Sequence, residues 1–579
     1  MASEVFMPKA GMDMQEGTLV RWLFSVGDRV RKGEALVEIE TDKVTMEVES
    51  PADGVLLRQF FEEGSVVPVA TIIGYVGEEG EAVPDKPSKA GGEALAQEEA
   101  MLAGDRGRYE SAYTYQVAVI GGGPAGYTAA IRAARLGAKT VLFEKNKLGG
   151  TCTNVGCIPM KTYVSAARIL DTMGKARSFG ITYDEGTLKT DLSLLHAHKE
   201  KVIKGLAAGI ESLLADAGVE LVREEAALIG EHTIEAAGKA YRTESVILCG
   251  GSTSGFLPVE GTDQKEIVTS EGILDLTELP DRLLIVGGGV IGCETAAAFS
   301  RFGSNVTIVE MQDRLIPTFD REVSQHIETS FKKHGITVMC GRKVERFIRR
   351  DDRPVLILDG GDEIGADCVL ISVGRKPALD CLGVLSDRID LERGKIMVDD
   401  ECRTNIPHIF ACGDLTNRSI LAHSAMKMGE TAAYCACHQD KTIRLNRAPL
   451  CLYTIPEAAS IGLTEEQARL KGDILVGKYA FRYNGRAASA GETEGFVKVL
   501  ADKAYGEILG VHIVGAQATE LIVEAKTMMD MEITVYEVAD IMHPHPTYSE
   551  VFMEACAEAI GSCLNLPQKK RQTGRGSRG

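Results

Sequence analysis

No apolar run in the 579-residue chain approaches the roughly 18 residues that a membrane-spanning helix needs. The opening segment, MASEVFMPKAGMDMQEG, has no basic start followed by an apolar stretch, so no secretory leader is expected. Positive charge is in deficit. There are 64 Lys and Arg against 83 Asp and Glu, a formal net charge of −19, which argues against nucleic-acid binding because that needs a basic face. The 14 cysteines are mostly scattered singly, unlike a small disulfide scaffold, and predict a reducing cytoplasm. Hydrophobic residues at 44% and charged residues at 25% exclude wholesale disorder and a collagen-like fibre. At roughly 150 residues per domain the length predicts about three or four domains.

The first eighty residues read as β. Short apolar runs (Thr18–Leu23, Ala35–Ile39, Val44–Val48, Val55–Phe60, Ala70–Val76) alternate with expected turns at Gly17, Gly27, Gly33, Gly54 and Gly64. This is the spacing of a small sandwich or flattened barrel. Residues 1–82 hold 16 acidic and 7 basic residues, 7 − 16 = −9, nearly half of the whole excess. Residues 83–112 are rich in Pro, Gly, Ala, Lys and Glu and poor in aromatics, so a linker is predicted, with one transient helical turn around residues 93–102. Its span would be roughly 30 Å as a flexible coil and about 100 Å when extended. The end of the chain from Gln568 is basic and Gly-rich and reads as a disordered tail.

At Tyr115 the pattern changes to strand, glycine turn, helix, strand. YQVAVIGGGPAGYTAAIRAARLGAKTVLFEK is one such unit and RLLIVGGGVIGCETAAAFSRFGSNVTIVEM, from Arg282, is a second. In the first, Gly121, Gly123 and Gly126 are followed 18 residues later by Glu144; in the second, Gly287, Gly289 and Gly292 are followed 18 residues later by Glu310. The first glycine makes the tight turn, the second admits a pyrophosphate and the third lets helix and strand pack, with the helix N-terminus facing the phosphates. One copy of such a motif is weak evidence, but two in full context predict two dinucleotides, most simply a bound flavin and an exchangeable nicotinamide. Glu310 would accept from a ribose 2′-hydroxyl and repel a 2′-phosphate, and the first basic residue after it is Arg314, so NAD is favoured over NADP.

LGGTCTNVGCIPMKT places Cys152 and Cys157 five apart, just after the first unit. A glycine-rich loop entering a helix lowers thiol pKa values, so a redox pair is predicted. A half zinc site and two inert core thiols are the alternatives, and no further ligands with zinc spacing lie nearby. Near the end, IMHPHPTYSEVF sets His545 five residues before Glu550. A thiol reaction needs a base, and a carboxylate-held histidine supplies one, although His543 and His545 could equally be surface residues or metal ligands. Cys435, Cys437 and His438 form a C-x-C-H cluster that reads as a weak metal candidate, and no metal is expected.

Together these residues resemble the flavoprotein disulfide reductases over about Tyr115 to Leu566, most closely those that oxidise dihydrolipoyl groups with NAD. GGTCTNVGCIPMK resembles the family's redox-disulfide motif, departing at Thr153, where Leu is usual, and Met160, where Ser is usual. NIPHIFACGDLT resembles the second flavin motif, which implies Asp414 on the ribityl chain. ILAHSAMKMGE, beginning at Ile420 and including Ala422, resembles the flavin-ring segment, with Ser424 and Met426 atypical. CGGS at Cys249–Ser252 stands where ATGS is usual, implying flavin contacts at Gly250 and Ser252. YTIPEAASIG and GEILGVHIVGAQATELIVEA resemble the dimer-interface domain, and HPHPTYSE the His–Glu motif at His545 and Glu550. The resemblance further implies that Lys161 and Glu294 pair beside the flavin ring, that Gly374 joins the NAD site, and that His545 acts across a homodimer. NADP-linked glutathione enzymes are disfavoured by Glu310, and mercuric reductases by the single Cys563.

EIETDKVTMEVESPADGVL resembles a lipoyl domain with Lys43 at a hairpin tip. Gly33 lies ten residues before it and Gly54 eleven after, a pseudo-symmetric half-repeat, and Asp42 and Val44 flank the lysine where biotin carriers have Met-Lys-Met. An exposed lysine at a turn is ordinarily just solvated; the resemblance implies a lipoyl group on Lys43, and the acidic surface suits docking to basic patches on partner enzymes.

The expected fold class is α/β: two Rossmann-like dinucleotide-binding domains and an α+β dimer-interface domain, preceded by a small all-β lipoyl domain. The expected divisions are 1–80 lipoyl carrier, 81–113 linker, 114–259 FAD-binding, 260–383 NAD-binding, 384–447 central, 448–567 dimer interface and 568–579 tail. The resemblance implies a cytoplasmic homodimeric NAD-dependent reductase using FAD, serving a 2-oxoacid dehydrogenase-type complex alongside its lipoyl acyltransferase, with no nucleic-acid partner and no membrane span. Its rivals are another flavin disulfide reductase and a docking scaffold with an inactive reductase body.

Overall fold

The computed structural model describes residues 2–8, 16–40, 45–68, 71–78, 80–81, 83–84, 113–184, 186 and 188–567. Residues 1–112 and 113–579 form two compact units. The helical turn expected at 93–102, most of the linker and the basic tail lie outside the described residues.

The first unit is all β. Its strands are β1 (Ser3–Phe6), β2 (Glu16–Trp22), β3 (Arg29–Val30), β4 (Ala35–Glu40), β5 (Thr45–Glu49), β6 (Gly54–Gln59), β7 (Val66–Pro68) and β8 (Ile72–Gly77). They form two four-stranded sheets, β1-β8-β6-β3 and β5-β4-β2-β7. Val5, Leu19, Leu36, Ile39, Leu56 and Ile73 form part of the core, each burial contributing roughly 1.5–3 kcal/mol. Gly27, Gly33 and Gly64 sit in turns with positive φ, as their spacing predicts. Gly17 and Gly54 do not: they lie inside β2 and β6. A Cβ on Gly54 would come 2.6 Å from Gly77 O, so close strand approach, rather than a turn, requires glycine there. β4 and β5 pair antiparallel as far as Glu40 and Thr45. Lys43 falls on residues 41–44 between them, outside the described residues.

The second unit begins with a parallel sheet in the order Glu220–Val222, Thr140–Phe143, Tyr115–Ile120, Lys239–Leu248, Ile409–Ala411. Tyr115–Ile120 is a near-continuous apolar run because both its faces are covered. Helix α1 (Pro124–Arg135) follows it, packing Ala129, Ala130 and Ala133 inward. Helix α2 (Cys157–Lys175) starts at the second cysteine of the redox motif. A second parallel sheet runs Ile267–Val268, Cys368–Ile371, Arg282–Val286, Asn305–Glu310, Thr337–Cys340. Helix α3 (Val290–Phe302) is its glycine-motif helix, and helix α4 (Arg321–Lys333) lies later on the same chain segment. Helix α5 (Ala422–Ala436) returns to the first sheet, whose edge strand Ile409–Ala411 comes from the segment just before it. The rest is an antiparallel five-stranded sheet, Leu450–Leu452, Glu457–Gly462, Ile508–Gly515, Phe496–Asp502, Ile474–Ala480, with helices α6 (Ala518–Asp530) and α7 (Glu550–Ala559).

Candidate active site

The two glycine motifs fold alike. Gly121 has φ +104°, and a Cβ on Gly126 would lie 1.7 Å from Gly121 O; Gly287 has φ +112°, and a Cβ on Gly292 would lie 2.0 Å from Gly287 O. The first glycine of each motif turns and the third packs, whereas space remains at Gly123 and Gly289 for a phosphate. The acids are pinned identically. Glu144 Oε2 accepts from Gly122 N at 2.7 Å and Oε1 from Asn146 N at 2.6 Å. Glu310 Oε2 accepts from Gly288 N at 2.6 Å and Oε1 from Gln312 N at 2.7 Å. Each oxygen keeps a lone pair for a ribose hydroxyl.

One cavity of about 2040 Å³ joins the two motifs. That is about twice the upper end of an ordinary ligand pocket of ~1,000 Å³, enough for two extended dinucleotides. Gly121, Gly123, Glu144, Gly250, Ser252, Asp414 and Ala422 line it on the first side, and Gly287, Gly289, Glu310 and Gly374 on the second. Cys152, Cys157, Lys161 and Glu294 line it too. Gly126 and Gly292 do not face it; they pack behind it.

Asp414 is held by an arrangement that sequence spacing does not reveal. Arg375 Nε donates to Ser252 Oγ at 2.7 Å and its Nη2 to Ser252 O at 2.7 Å, while Ser252 Oγ donates to Asp414. Burial pushes the Asp414 carboxyl up. A half-buried, donor-fixed carboxylate beside an open cavity suits the hydroxyls of a flavin ribityl chain, so the residues present fit FAD. CGGS therefore retains its polar member in place.

Cys152 lies in the short helix Gly150–Asn154 and Cys157 opens α2. Both are free thiols in this structure. The motif predicts a lowered pKa for both, but only Cys157 has one. A hydrogen bond from Cys152, with the Lys161 ammonium nearby, pulls Cys157 down to about 7, and the same bond together with burial pushes Cys152 up. The Cys157 amide at the α2 start favours both thiolates, so the hydrogen bond between the sulfurs sets the split. Lys161 Nζ donates to Glu294 Oε1 and Oε2 at 3.0 and 2.8 Å and lies 4.3 Å over the Tyr453 ring, whose backbone N donates to Glu294 Oε1 at 3.0 Å. Tyr453 lies within the YTIPEAASIG segment, yet no spacing rule could assign it this contact. Met160 and Thr153, the departures from the motif, are buried, and Met160 packs in a hydrophobic cluster.

His545 Nδ1 meets Glu550 Oε1 at 2.8 Å, and Glu550 Oε2 accepts from Thr547 N at 2.8 Å. The imidazole is 75% exposed and does not line the cavity that holds Cys152. Within one chain, base and thiols are therefore apart. His543 behaves differently: its Nε2 pairs with Glu524 Oε1 at 2.7 Å and its Nδ1 with Ile541 O at 2.9 Å. In the C-x-C-H segment, His438 pairs with Glu244 at 2.9 Å and Cys435 Sγ faces Lys441 O at 3.2 Å. Among the described residues no group of three or more His, Cys, Asp or Glu could hold a metal ion, and no helix is long and apolar enough to cross a membrane.

Two dinucleotide folds opening on one cavity around a thiol pair define a nicotinamide-linked disulfide oxidoreductase. Residues 115–429 match the family described as "Pyridine nucleotide-disulphide oxidoreductase", and 448–556 match its dimerisation domain. The chain belongs to that family. Residues 3–76 match the biotin/lipoyl domain family described as "Biotin-requiring enzyme". A dihydrolipoyl dehydrogenase of Bacillus subtilis is 38% identical over 456 residues, covering 78% of this chain and 99% of that protein. One of Thermus scotoductus is 39% identical over 456 residues, covering 77% and 97%. The crystal structure of LpdA from Mycobacterium tuberculosis superposes with a TM-score of 0.71 at 28% identity, covering 76% of this chain and 98% of that one. The HOCl-induced flavoprotein disulfide reductase RclA of Escherichia coli gives 0.69 at 28%, covering 76% and 99%. FAD and NAD are the cofactors of this family, and a lysine-borne lipoyl group is that of the N-terminal domain.

Proposed function

We propose that this chain is a dihydrolipoyl dehydrogenase carrying its own lipoyl domain. The observation that carries the reading is the Cys152–Cys157 pair lying between two dinucleotide motifs in one cavity. The names of the relatives and the N-terminal domain supply the substrate.

His545 of a second copy takes a proton from the dihydrolipoyl dithiol, and Glu550 orients its ring. The substrate thiolate attacks Cys152 Sγ of the oxidised pair. The Cys152–Cys157 bond breaks, and Cys157 leaves as thiolate, which the nearby Lys161 ammonium favours. The second substrate thiol then attacks the substrate sulfur of the mixed disulfide, closing the lipoyl ring and freeing Cys152. FAD supplies the two-electron step from the dithiol to NAD⁺. Around it, Gly121, Gly123 and Glu144 would hold the adenosine and pyrophosphate half, with Gly126 packing the helix behind them. Gly250, Ser252, Asp414 and Ala422 would hold the remainder, and Lys161 with Glu294 would lie beside the ring. Gly287, Gly289, Glu310 and Gly374 would hold NAD, with Gly292 packing the helix behind them.

Residues 1–80 serve as carrier, 81–113 as tether, 114–259 and 384–447 as the FAD site, 260–383 as the NAD domain and 448–567 as the interface of a homodimer. The dimerisation domain supports that assembly. The partners are a lipoyl acyltransferase and the other components of a 2-oxoacid dehydrogenase complex, in the cytoplasm. The purified yellow protein should reduce NAD⁺ with dihydrolipoamide. Turnover only with another thiol would make it a different disulfide reductase, and no turnover with any thiol would leave a docking body.

A further inference from the structure

The cavity wall beside Glu310 carries two cationic residues that the fingerprint spacing does not reveal. Arg342 and Lys343 line it, on the turn after the strand Thr337–Cys340. Backbone bonds fasten that turn to the acid: Arg342 N donates to Glu310 O at 3.0 Å and Gly341 N to Gln312 O at 2.8 Å. A guanidinium at this place has the chemistry to grip a ribose 2′-phosphate through paired N–H donors. Its Nε and Nη2 donors, one edge of that fork, are occupied instead. Arg342 Nε donates to Asp359 Oδ1 at 3.1 Å, and Nη2 donates to Asp362 Oδ2 and to Asp359 O, both at 2.7 Å. Asp359 Oδ1 also accepts from Lys343 N at 3.0 Å, which holds the carboxylate in place.

We propose that Asp359 and Asp362 determine nicotinamide specificity by occupying the Arg342 fork and so withholding it from a 2′-phosphate. Glu310 repels the phosphate directly, and the two aspartates remove the cation that would offset that repulsion. Discrimination thus rests on a three-carboxylate arrangement, one member acting on the ligand and two acting through Arg342. The inference rests on the reading that the second glycine motif holds the adenosine ribose near Glu310. The bland alternative is a structural clamp on the turn.

The test uses the full-length FAD-loaded enzyme and compares four variants: Glu310→Gln, Asp359→Asn/Asp362→Asn, the triple, and the triple with Arg342→Gln. The ratio of kcat/KM for NADP⁺ to that for NAD⁺ should rise about tenfold or more in the triple over Glu310→Gln alone. The gain should shrink with added salt and disappear with Arg342→Gln. Binding of adenosine 2′,5′-bisphosphate relative to AMP, measured by calorimetry, should follow the same order without turnover. Asp362→Asn alone neutralises a 63%-exposed carboxylate and is the variant to use if the triple folds poorly. It should shift the binding ratio in the same direction. A triple whose ratios equal those of Glu310→Gln, or a gain that survives Arg342→Gln, would overturn the proposal. A fall in Tm with both ratios unmoved would show the clamp alone. If Glu310→Gln itself moves neither ratio, the site reading fails and not merely the role of the aspartates.

Discussion

Lys161 sits one helical turn after Cys157 on α2, with its Nζ 2.8 Å from Glu294 Oε2. Residues four apart share a helix face, so the ammonium and the thiol look into the same cavity. Glu294 is 3% exposed, which fixes the cation in place rather than leaving it to solvent.

This placement predicts a pH dependence. Cys157 titrates near 7, so about half of it is thiolate at neutral pH in the reduced enzyme. Lys161→Met removes a favourable charge and should move the midpoint upward by about one pH unit. Ionisation at pH 7 then falls to about a tenth. The long-wavelength absorbance of a thiolate against bound FAD, followed from pH 5 to 9 after partial reduction, reads this directly. An unmoved midpoint would mean that the hydrogen bond from Cys152 alone holds the thiolate.

Cys152→Ser separates binding from chemistry. Serine can still donate to Cys157, and the cavity keeps its shape, so FAD should remain bound. Dihydrolipoamide turnover should fall by about a thousandfold or more, because the attacked sulfur is gone. Appreciable lipoamide activity in this variant would refute its role.

His545 and Glu550 pair with one another and do not line the cavity that holds Cys152 and Cys157 of the same chain. If the base acts across a dimer, Cys152→Ser and His545→Gln proteins are each inactive but complement one another. After subunit exchange, half of the dimers are mixed and each has one intact site, so about a quarter of the activity should return. No recovery despite exchange verified by native mass spectrometry would place the base in the same chain.

The glycine motifs were legible in the sequence because each glycine answers a local demand: a positive φ, an open approach or a backbone contact. Gly54 does not make the expected turn because a glycine in a strand can answer a demand from another strand, here Gly77, which spacing does not report. The split between Cys152 and Cys157 was hidden for a similar reason. The Cys157 amide and the Lys161 ammonium favour both thiolates, and what separates the two is the direction of the hydrogen bond between the sulfurs, which spacing does not report. Arg375 on Ser252 and Arg342 on Asp359 join residues 123 and 17 apart through side-chain forks, and no periodicity encodes such contacts.

A buried histidine gives the body a measurable acid sensitivity. His512 is 1% exposed, its Nδ1 faces Ser460 Oγ at 3.0 Å and its Nε2 faces Leu463 O at 3.0 Å, with Asp320, Glu322 and Lys498 around it. Burial pushes its pKa down to about 4 from an ordinary 6.5. The unfolded chain therefore binds a proton between those values that the folded chain does not. Stability is present above 6.5 and is lost as pH falls towards 4. Between pH 7 and 5, wild type should lose about 2 kcal/mol more than His512→Gln, measured by denaturant unfolding at each pH. Equal losses would show that the imidazole takes up its proton without unfolding.

The final prediction concerns Lys43. The strands flanking it pair as far as Glu40 and Thr45, and the domain matches the biotin/lipoyl family. The polar sequence of about thirty residues that follows, acting as the proposed tether, would give an effective concentration on the order of millimolar if the span is within reach. Intact-mass analysis of protein from a lipoate-supplied host should show a lipoyl increment, which Lys43→Arg should abolish. Once its own arm is reduced, the wild-type chain should reduce NAD⁺ without free lipoamide, and Lys43→Arg should not. Turnover of free dihydrolipoamide should stay within about twofold, because Lys43 has no part in the thiol chemistry at Cys152. Coupling to the upstream acyltransferase should be lost in the variant. An unmodified Lys43 in such a host, or full coupling after Lys43→Arg, would reduce the N-terminal domain to a docking module.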